Sequence, residues 1–171
     1  MSYIENDASL KGKIRHVAKE HGIKPQEVLQ MYLFEHLLMR LERSEYANNF
    51  VLKGGLLIAS LTGIFQRTTM DMDTTVVGMG MDEGTVTEAL QAICSVDCED
   101  GMVYELEKIE PIREDDEYAN WRAHIRARYG KIDAPIKVDI TTGDAIYPDK
   151  IRYRYELMFD QGALELSLIH I

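Results

Sequence analysis

Residues 51–57, VLKGGLL, and residues 67–77, RTTMDMDTTVV, decide the fold of this chain. The glycine pair and the apolar residues that follow it predict a helix over 54–61. The second segment ends in β-branched residues, which predicts a strand over 70–77. We expect the glycines and the polar face of this strand to line one cleft.

The predicted strand carries two aspartates, Asp71 and Asp73, on either side of Met72. Side chains two positions apart leave the same face of a strand, so the carboxylates point together and Met72 points into the core. Neighbouring carboxylates repel each other unless a cation or a shared proton neutralises them. Oxygen-rich sites of this kind suit Mg²⁺ bound together with the phosphates of a substrate. The alternative is that both aspartates are solvated residues near a strand end.

The residues around the glycine pair could bind those phosphates. Gly54 and Gly55 allow close approach of the backbone, and the start of a helix adds N–H donors. Lys53 and Arg67 supply cations that could contact a triphosphate. A glycine pair alone usually marks a turn, so the indication of a nucleotide site comes from the order of glycines, basic residues and aspartates.

A third carboxylate is expected, because paired metal ions need a further ligand. Residues 135–141 alternate apolar and polar side chains, which predicts a half-buried strand with Asp139 on its polar face. Asp139 is the first candidate, although an edge aspartate facing water would show the same pattern. Asp144 and Asp149 are weaker candidates, because they lie in a segment bounded by glycine and proline that favours turns.

These motifs resemble those of the AbiEii/AbiGii nucleotidyltransferase toxins, which belong to the DNA polymerase β-like nucleotidyltransferase superfamily. The resemblance runs from about Asn49 to Phe159. It is carried by the segments Lys53-Gly54-Gly55, Arg67-x-Thr69-x-Asp71-x-Asp73 and Lys137-Val138-Asp139.

The resemblance implies a function and a set of site residues. The three aspartates of the motifs, Asp71, Asp73 and Asp139, would be catalytic and hold Mg²⁺. The nucleotide would be bound by Lys53, Gly54, Gly55, Arg67 and Thr69. Family members move a nucleotidyl group from an NTP to an acceptor, in some cases tRNA, within bacterial abortive-infection and type IV toxin–antitoxin systems. A cognate antitoxin encoded nearby is therefore an expected partner.

The predicted fold class is α+β, with N-terminal helices packed on the small mixed sheet of a polymerase β-like core. We expect a helical segment over 1–48, the nucleotidyltransferase core over 49–160, and a truncated or foreign tail over 161–171. The C-terminal helical half of the family is expected to be absent, because nothing after the strand near 152–159 matches it. Further predicted helices cover 8–21, 25–44 and 83–95, and further predicted strands cover 102–113, 120–130, 135–141 and 152–159.

Composition limits the classes of protein to consider. A formal net charge of −10 argues against a general nucleic-acid-binding surface, although residues 122–154 form a locally basic run. That run could suit a polyanionic acceptor or could simply be a solvated face. The sequence contains no apolar run long enough to span a membrane, and its first residues do not have the pattern of a signal peptide. Cys94 and Cys98 are predicted to be idle thiols in a reducing cytoplasm.

Two other functions are compatible with the sequence. Residues 14–29 imitate a helix-turn-helix, so the chain could be a DNA-binding regulator. A catalytically inactive interaction domain would have the same fold but would show no metal-dependent nucleotide binding.

Overall fold

The computed structural model describes residues 6–54, 71–113, 119–142, 151–159 and 163–168. Within these ranges the chain forms three helices and one seven-stranded mixed sheet. The helices are α1 (Asp7–His21), α2 (Pro25–Arg43) and α3 (Glu83–Cys94). The strands are β1 (Phe50–Lys53), β2 (Met72–Val76), β3 (Val103–Pro111), β4 (Trp121–Tyr129), β5 (Ile132–Thr141), β6 (Ile151–Glu156) and β7 (Ala163–Leu168).

Local sequence signals explain where the first two helices begin and end. Asn6 caps α1 by accepting the backbone N–H of Ser9 at 2.9 Å, and Gly22 ends the helix in the left-handed conformation. Pro25 is the first residue of α2. The backbone N–H at this position has no partner within a helix, so proline, which lacks it, costs no hydrogen bond there. Every residue of α2 from 30 to 41 is buried, so this helix is surrounded by the rest of the fold. That burial argues against α2 as a DNA-recognition helix.

The sheet has the strand order β3-β4-β5-β2-β1-β7-β6. β5 is antiparallel to β4 and parallel to β2, while β1 is antiparallel to β2 and parallel to β7. β2 and β5, which carry the predicted site residues, therefore lie side by side in the middle of the sheet.

Alternation along β5 divides the sheet into a buried face and a polar face. The buried side chains of β5 belong to the same apolar core as α2 and α3: Ile132, Ala134, Ile136, Val138 and Ile140. The residues between them are exposed or half-buried and include Lys137 and Asp139. This is the arrangement that the sequence pattern predicts for 135–141.

The polar face explains the basic run of 122–154. Along β4, Arg126 pairs with Asp133 at 3.1 Å, and Arg128 pairs with Glu105 at 2.8 Å. His124 contacts Glu110 at 2.6 Å. The arginines of β4 in this run are thus paired with acids, which the solvated-face alternative expects.

A buried ionic cluster joins α2 to the loop before β3. Arg40 donates two hydrogen bonds to Asp100, both at 2.8 Å, and His36 Nδ1 lies 2.8 Å from the same carboxylate. Burial raises the pKa of Asp100, but the hydrogen bonds from Arg40 and His36 outweigh it and hold that pKa well below its usual range. Arg40 also donates to the carbonyl of Met102 at 3.0 Å. The cluster ties α2 to the start of β3.

The structure confirms the α+β class and the predicted helices over 8–21, 25–44 and 83–95. The strands predicted from 70–77 onward are also present, with boundaries shifted by a few residues. The sequence pattern does not predict β1 or β7, because a strand of four residues gives little periodicity and the segment 161–171 carries no match to the family motifs. Apart from Gly54, the helix predicted over 54–61 lies outside the described residues. The domain division at 48/49 and 160/161 remains a prediction.

Both cysteines are buried free thiols. Burial raises the pKa of Cys94 to about 12, which keeps this thiol protonated and unreactive. None of the described helices is long and apolar enough to cross a bilayer.

Candidate active site

Four charged residues lie side by side across the middle of the sheet. In the strand register, Lys53 of β1 is opposite Asp73 of β2, Asp73 is opposite Asp139 of β5, and Asp139 is opposite Arg122 of β4. Neighbouring strands are about 4.8 Å apart, and directly opposed residues share a face of the sheet. We call these residues, Lys53, Asp73, Asp139 and Arg122, the charged row. It places two acids between two bases.

Gly54 lies directly against the carboxylate of Asp73. Its φ of +73° is in the left-handed region, and a Cβ added at this position would collide with Asp73 Oδ2. Glycine is therefore needed for two reasons, since any other residue would be strained and would displace the carboxylate. The backbone at Gly54 is therefore close to an aspartate of the row, while the approach to a phosphate that the sequence indicates remains a prediction.

The surroundings of Asp73 concentrate negative charge. Burial raises the pKa of Asp73, and the nearby carboxylates of Asp139 and Asp71 raise it further, while Lys53 and Arg122 act in the opposite direction. The three aspartates are thus close enough to influence one another electrostatically. A bound cation would relieve this repulsion.

The carboxylate of Asp139 is held by Arg122. The guanidinium donates from Nε to Oδ1 at 2.8 Å and from Nη2 to Oδ2 at 3.1 Å, a bidentate arrangement. This hydrogen bonding raises the pKa of Arg122. Nothing in the local sequence distinguishes Arg122 from the other arginines of β4, so the sequence alone does not predict its role. Only the register of β4 against β5 identifies it.

Lys53 is also anchored within the row. Its ammonium donates to Thr141 Oγ1 at 2.5 Å. Thr141 follows Asp139 by two positions and therefore shares its face of β5. The alternation Asp139-x-Thr141 was a signal in the sequence that could have identified this residue.

Asp71 is exposed and lies one residue before β2. It lines a cleft of about 380 Å³ between the start of α2 and residues 133–137 of β5. β2 is paired with β5 only from Val138 onward, so the cleft runs along the part of β5 that extends beyond β2. Asp71 stands where this cleft reaches the charged row.

The structure therefore brings together five of the predicted site residues: Lys53, Gly54, Asp71, Asp73 and Asp139. Gly55, Arg67 and Thr69 lie outside the described residues, as do the weaker candidates Asp144 and Asp149. The catalytic and nucleotide-binding roles of all these residues remain predictions.

The donor atoms near Asp73 are of the kind that Mg²⁺ prefers, since the carboxylates of Asp139 and Asp71 lie close enough to raise its pKa. In the part of the chain that the structure describes, no group of three His, Cys, Asp or Glu side chains is arranged to hold a metal ion. The pairing of Asp139 with Arg122 is consistent with this finding. The site thus fits Mg²⁺ in its chemistry, while one predicted ligand is engaged by an arginine.

Comparison with known protein families identifies the family of this chain. Residues 36–169 match the model of a family described as the nucleotidyl transferase AbiEii toxin of type IV toxin–antitoxin systems. The chain belongs to this family. No curated protein gives a significant match.

Solved structures with a similar chain path include two from Helicobacter pylori. One is a suspected nucleotidyltransferase, with 17% identity and a TM-score of 0.48, covering 87% of this chain and 56% of that one. The other is JHP933, with 18% identity and a TM-score of 0.48, covering 82% of this chain and 52% of that one. This chain spans about half the length of either structure.

Proposed function

We propose that this chain transfers a nucleotidyl group from an NTP to an acceptor hydroxyl, as the toxin of a type IV toxin–antitoxin or abortive-infection system. The observation that carries the proposal is the position of Asp73. It lies between Asp139 and Lys53 in register, directly against Gly54, in a chain of the AbiEii family.

The reaction is an in-line displacement at the α-phosphorus of the NTP. The acceptor oxygen forms a new bond to phosphorus, the bond to pyrophosphate breaks, and the proton of the hydroxyl is lost to solvent. Catalysis of this type comes mainly from positioning and from stabilisation of developing charge. Lys53 would orient the triphosphate, together with Gly54 and the proposed contributors Gly55, Arg67 and Thr69.

Asp71, Asp73 and Asp139 would hold Mg²⁺, with Asp139 leaving Arg122 to do so. The ion would supply neutralisation of charge at phosphorus and a lowered pKa of the acceptor hydroxyl. We further propose an RNA acceptor, with tRNA as one candidate, a cognate antitoxin as protein partner, and a cytoplasmic location in a bacterium. The buried free thiols of Cys94 and Cys98 support a reducing compartment.

The proposal is tested by Asp73→Asn, with Asp97→Asn as the matched control. Asp97 is an exposed aspartate in the segment between α3 and β3, and it lies outside both the charged row and the cleft beside Asp71. Labelled NTP is incubated with RNA and Mg²⁺, and transfer is followed on a gel. Loss of a metal ligand removes several kcal/mol of stabilisation, so Asp73→Asn should lower the rate by about 10³-fold or more. Asp97→Asn should stay within about threefold of the unaltered chain.

A catalytically inactive interaction domain is the second candidate, and the pairing of Asp139 with Arg122 favours it. Such a domain would fold in the same way and bind no NTP in a Mg²⁺-dependent manner. Nucleotide binding measured by calorimetry, with and without Mg²⁺, decides between the two. Transfer that survives within tenfold in Asp73→Asn would contradict the assignment of the site.

A further inference from the structure

Arg122 lies between two carboxylates of the sheet. It is opposite Asp139 of β5 on one side and opposite Glu110 of β3 on the other. Directly opposed residues share a face of the sheet, and neighbouring strands are about 4.8 Å apart. The charged row therefore continues beyond Arg122 into a further acid, Glu110.

The ion pair of Arg122 with Asp139 is open to water. The side chain of Arg122 is 37% exposed, and that of Asp139 is 19% exposed. In the buried pair of Arg40 with Asp100, the corresponding fractions are 2% and 12%. Solvent competes for both partners of an ion pair that is in contact with water, so breaking such a pair costs little free energy. The guanidinium of Arg122 can therefore leave Asp139 without disturbing the core.

Glu110 can accept the guanidinium in place of Asp139. Its side chain is 46% exposed, and its Oε1 lies 2.6 Å from His124 Nε2. Its Oε2 makes a longer contact, 3.8 Å, with Lys108 Nζ. The hydrogen bond with His124 lowers the pKa of Glu110 most, and the charge of Arg122 acts in the same direction. Glu110 is thus an ionised partner within electrostatic reach of Arg122.

The other acids near Arg122 are those predicted to bind the metal ion. Asp139 raises the pKa of Arg122 most, and the charges of Asp71 and Glu110 raise it further. When Asp71 and Asp139 bind a divalent cation, that cation repels a guanidinium beside it. Among the three acids that act on Arg122, Glu110 then offers the remaining negative charge.

We infer that Arg122 has two positions: it pairs with Asp139 until that carboxylate binds a divalent cation, and it pairs with Glu110 afterwards. This inference rests on the proposed function, which supplies the cation. In the first position, the guanidinium offsets the repulsion between Asp139 and Asp73. It follows that Arg122 lowers the affinity of the site for a divalent cation and that Glu110 raises it.

The size of the effect follows from the population of the second position. The affinity measured for the ion is its intrinsic affinity multiplied by the fraction of chains in which Arg122 has left Asp139. A minor conformation of this kind is populated at up to about 10%. Removal of Arg122 should therefore tighten ion binding by about tenfold.

The test measures the binding of Mn²⁺ alone, which prefers the same oxygen ligands as Mg²⁺, from the loss of the free-ion EPR signal. Arg122→Gln should bind Mn²⁺ about tenfold more tightly than the unaltered chain. Glu110→Gln should bind it about threefold more weakly, because the guanidinium loses its second partner. Added to Arg122→Gln, the Glu110→Gln change should alter the affinity by less than about twofold, since Glu110 acts through the arginine.

Arg128→Gln and Glu105→Gln are the matched controls. Arg128 and Glu105 form an ion pair of 2.8 Å between the same two strands, outside the charged row. Each control should stay within about twofold of the unaltered chain, and circular dichroism should show that all variants fold. Arg122→Lys is a second variant that keeps the charge but not the planar fork, and it should tighten Mn²⁺ binding by about threefold.

Three results would overturn the inference. Equal or weaker Mn²⁺ binding by Arg122→Gln would show that Arg122 positions Asp139 for the ion instead of competing with it. No Mn²⁺ binding by either the unaltered chain or Arg122→Gln would overturn it as well. An effect of Glu110→Gln that persists without Arg122 would show that Glu110 acts through its charge alone.

Nucleotidyl transfer separates this inference from the proposed function. If the unaltered chain transfers no nucleotide while the Mn²⁺ affinities change as expected, the proposed function fails and the exchange of Arg122 stands. If transfer depends on Asp73 while the Mn²⁺ affinities stay the same, the exchange fails and the proposed function stands.

Discussion

Gly54→Ala provides the sharpest test of the geometry at the charged row. Two penalties follow from the structure. An alanine at φ +73° is in the left-handed region, which costs roughly 1–2 kcal/mol. Its Cβ would also collide with the Asp73 carboxylate, and overpacking of this kind costs about 1–3 kcal/mol. The free energy of unfolding should therefore fall by about 3 kcal/mol.

Gly12→Ala is the matched control for this substitution. Gly12 lies inside α1, its φ is not in the left-handed region, and a Cβ added there meets no atom within 4 Å. The same change should therefore raise the free energy of unfolding by roughly 0.5–1 kcal/mol, because alanine favours the helix. The two glycine-to-alanine substitutions are expected to change the free energy of unfolding in opposite directions.

Urea denaturation followed by circular dichroism measures both changes. A double-mutant cycle with Asp73→Ala isolates the collision, since removal of the carboxylate should recover about 1 kcal/mol of the loss caused by Gly54→Ala. If Gly54→Ala alters the free energy of unfolding by less than about 0.5 kcal/mol, the described contact between Gly54 and Asp73 is wrong. Nucleotidyl transfer should also be lost in Gly54→Ala, because the carboxylate is displaced.

Three further predictions concern stability. Asp100→Asn should lower the free energy of unfolding by about 3 kcal/mol, because it leaves Arg40 buried without its anion. The control is Asp97→Asn, at an exposed aspartate. A loss below about 1 kcal/mol in Asp100→Asn would contradict the buried ion pair. The pKa of Asp100 is lower in the folded state, so its contribution is present above its unfolded pKa near 3.9 and is lost as pH falls below that value. Unfolding measured between pH 7 and pH 3 should therefore be less pH-dependent in Asp100→Asn than in the unaltered chain. The pKa of Asp73 is higher in the folded state than in the unfolded state, so ionisation of Asp73 destabilises the fold as pH rises. At pH 7 the Asp73→Asn variant should therefore have the same melting temperature as the unaltered chain or a slightly higher one.

Local sequence determined most of the secondary structure and the first part of the site. Periodicity and caps were enough for α1, α2 and α3, because those signals act within a few residues. The twofold alternation of a strand likewise placed Met72 in the core and Asp73 on the polar face. The motif order also indicated the family, which the match over residues 36–169 shows.

Only the tertiary structure decided which charges meet. Asp73 and Asp139 are opposite each other because β2 and β5 pair in a parallel register, and Arg122 reaches Asp139 because β4 pairs with β5 on its other side. Register depends on how every strand packs against the common core, and a shift of one residue would turn each side chain to the other face. The contact of Gly54 with Asp73 has the same origin, because it depends on the pairing of β1 with β2, which no local pattern records.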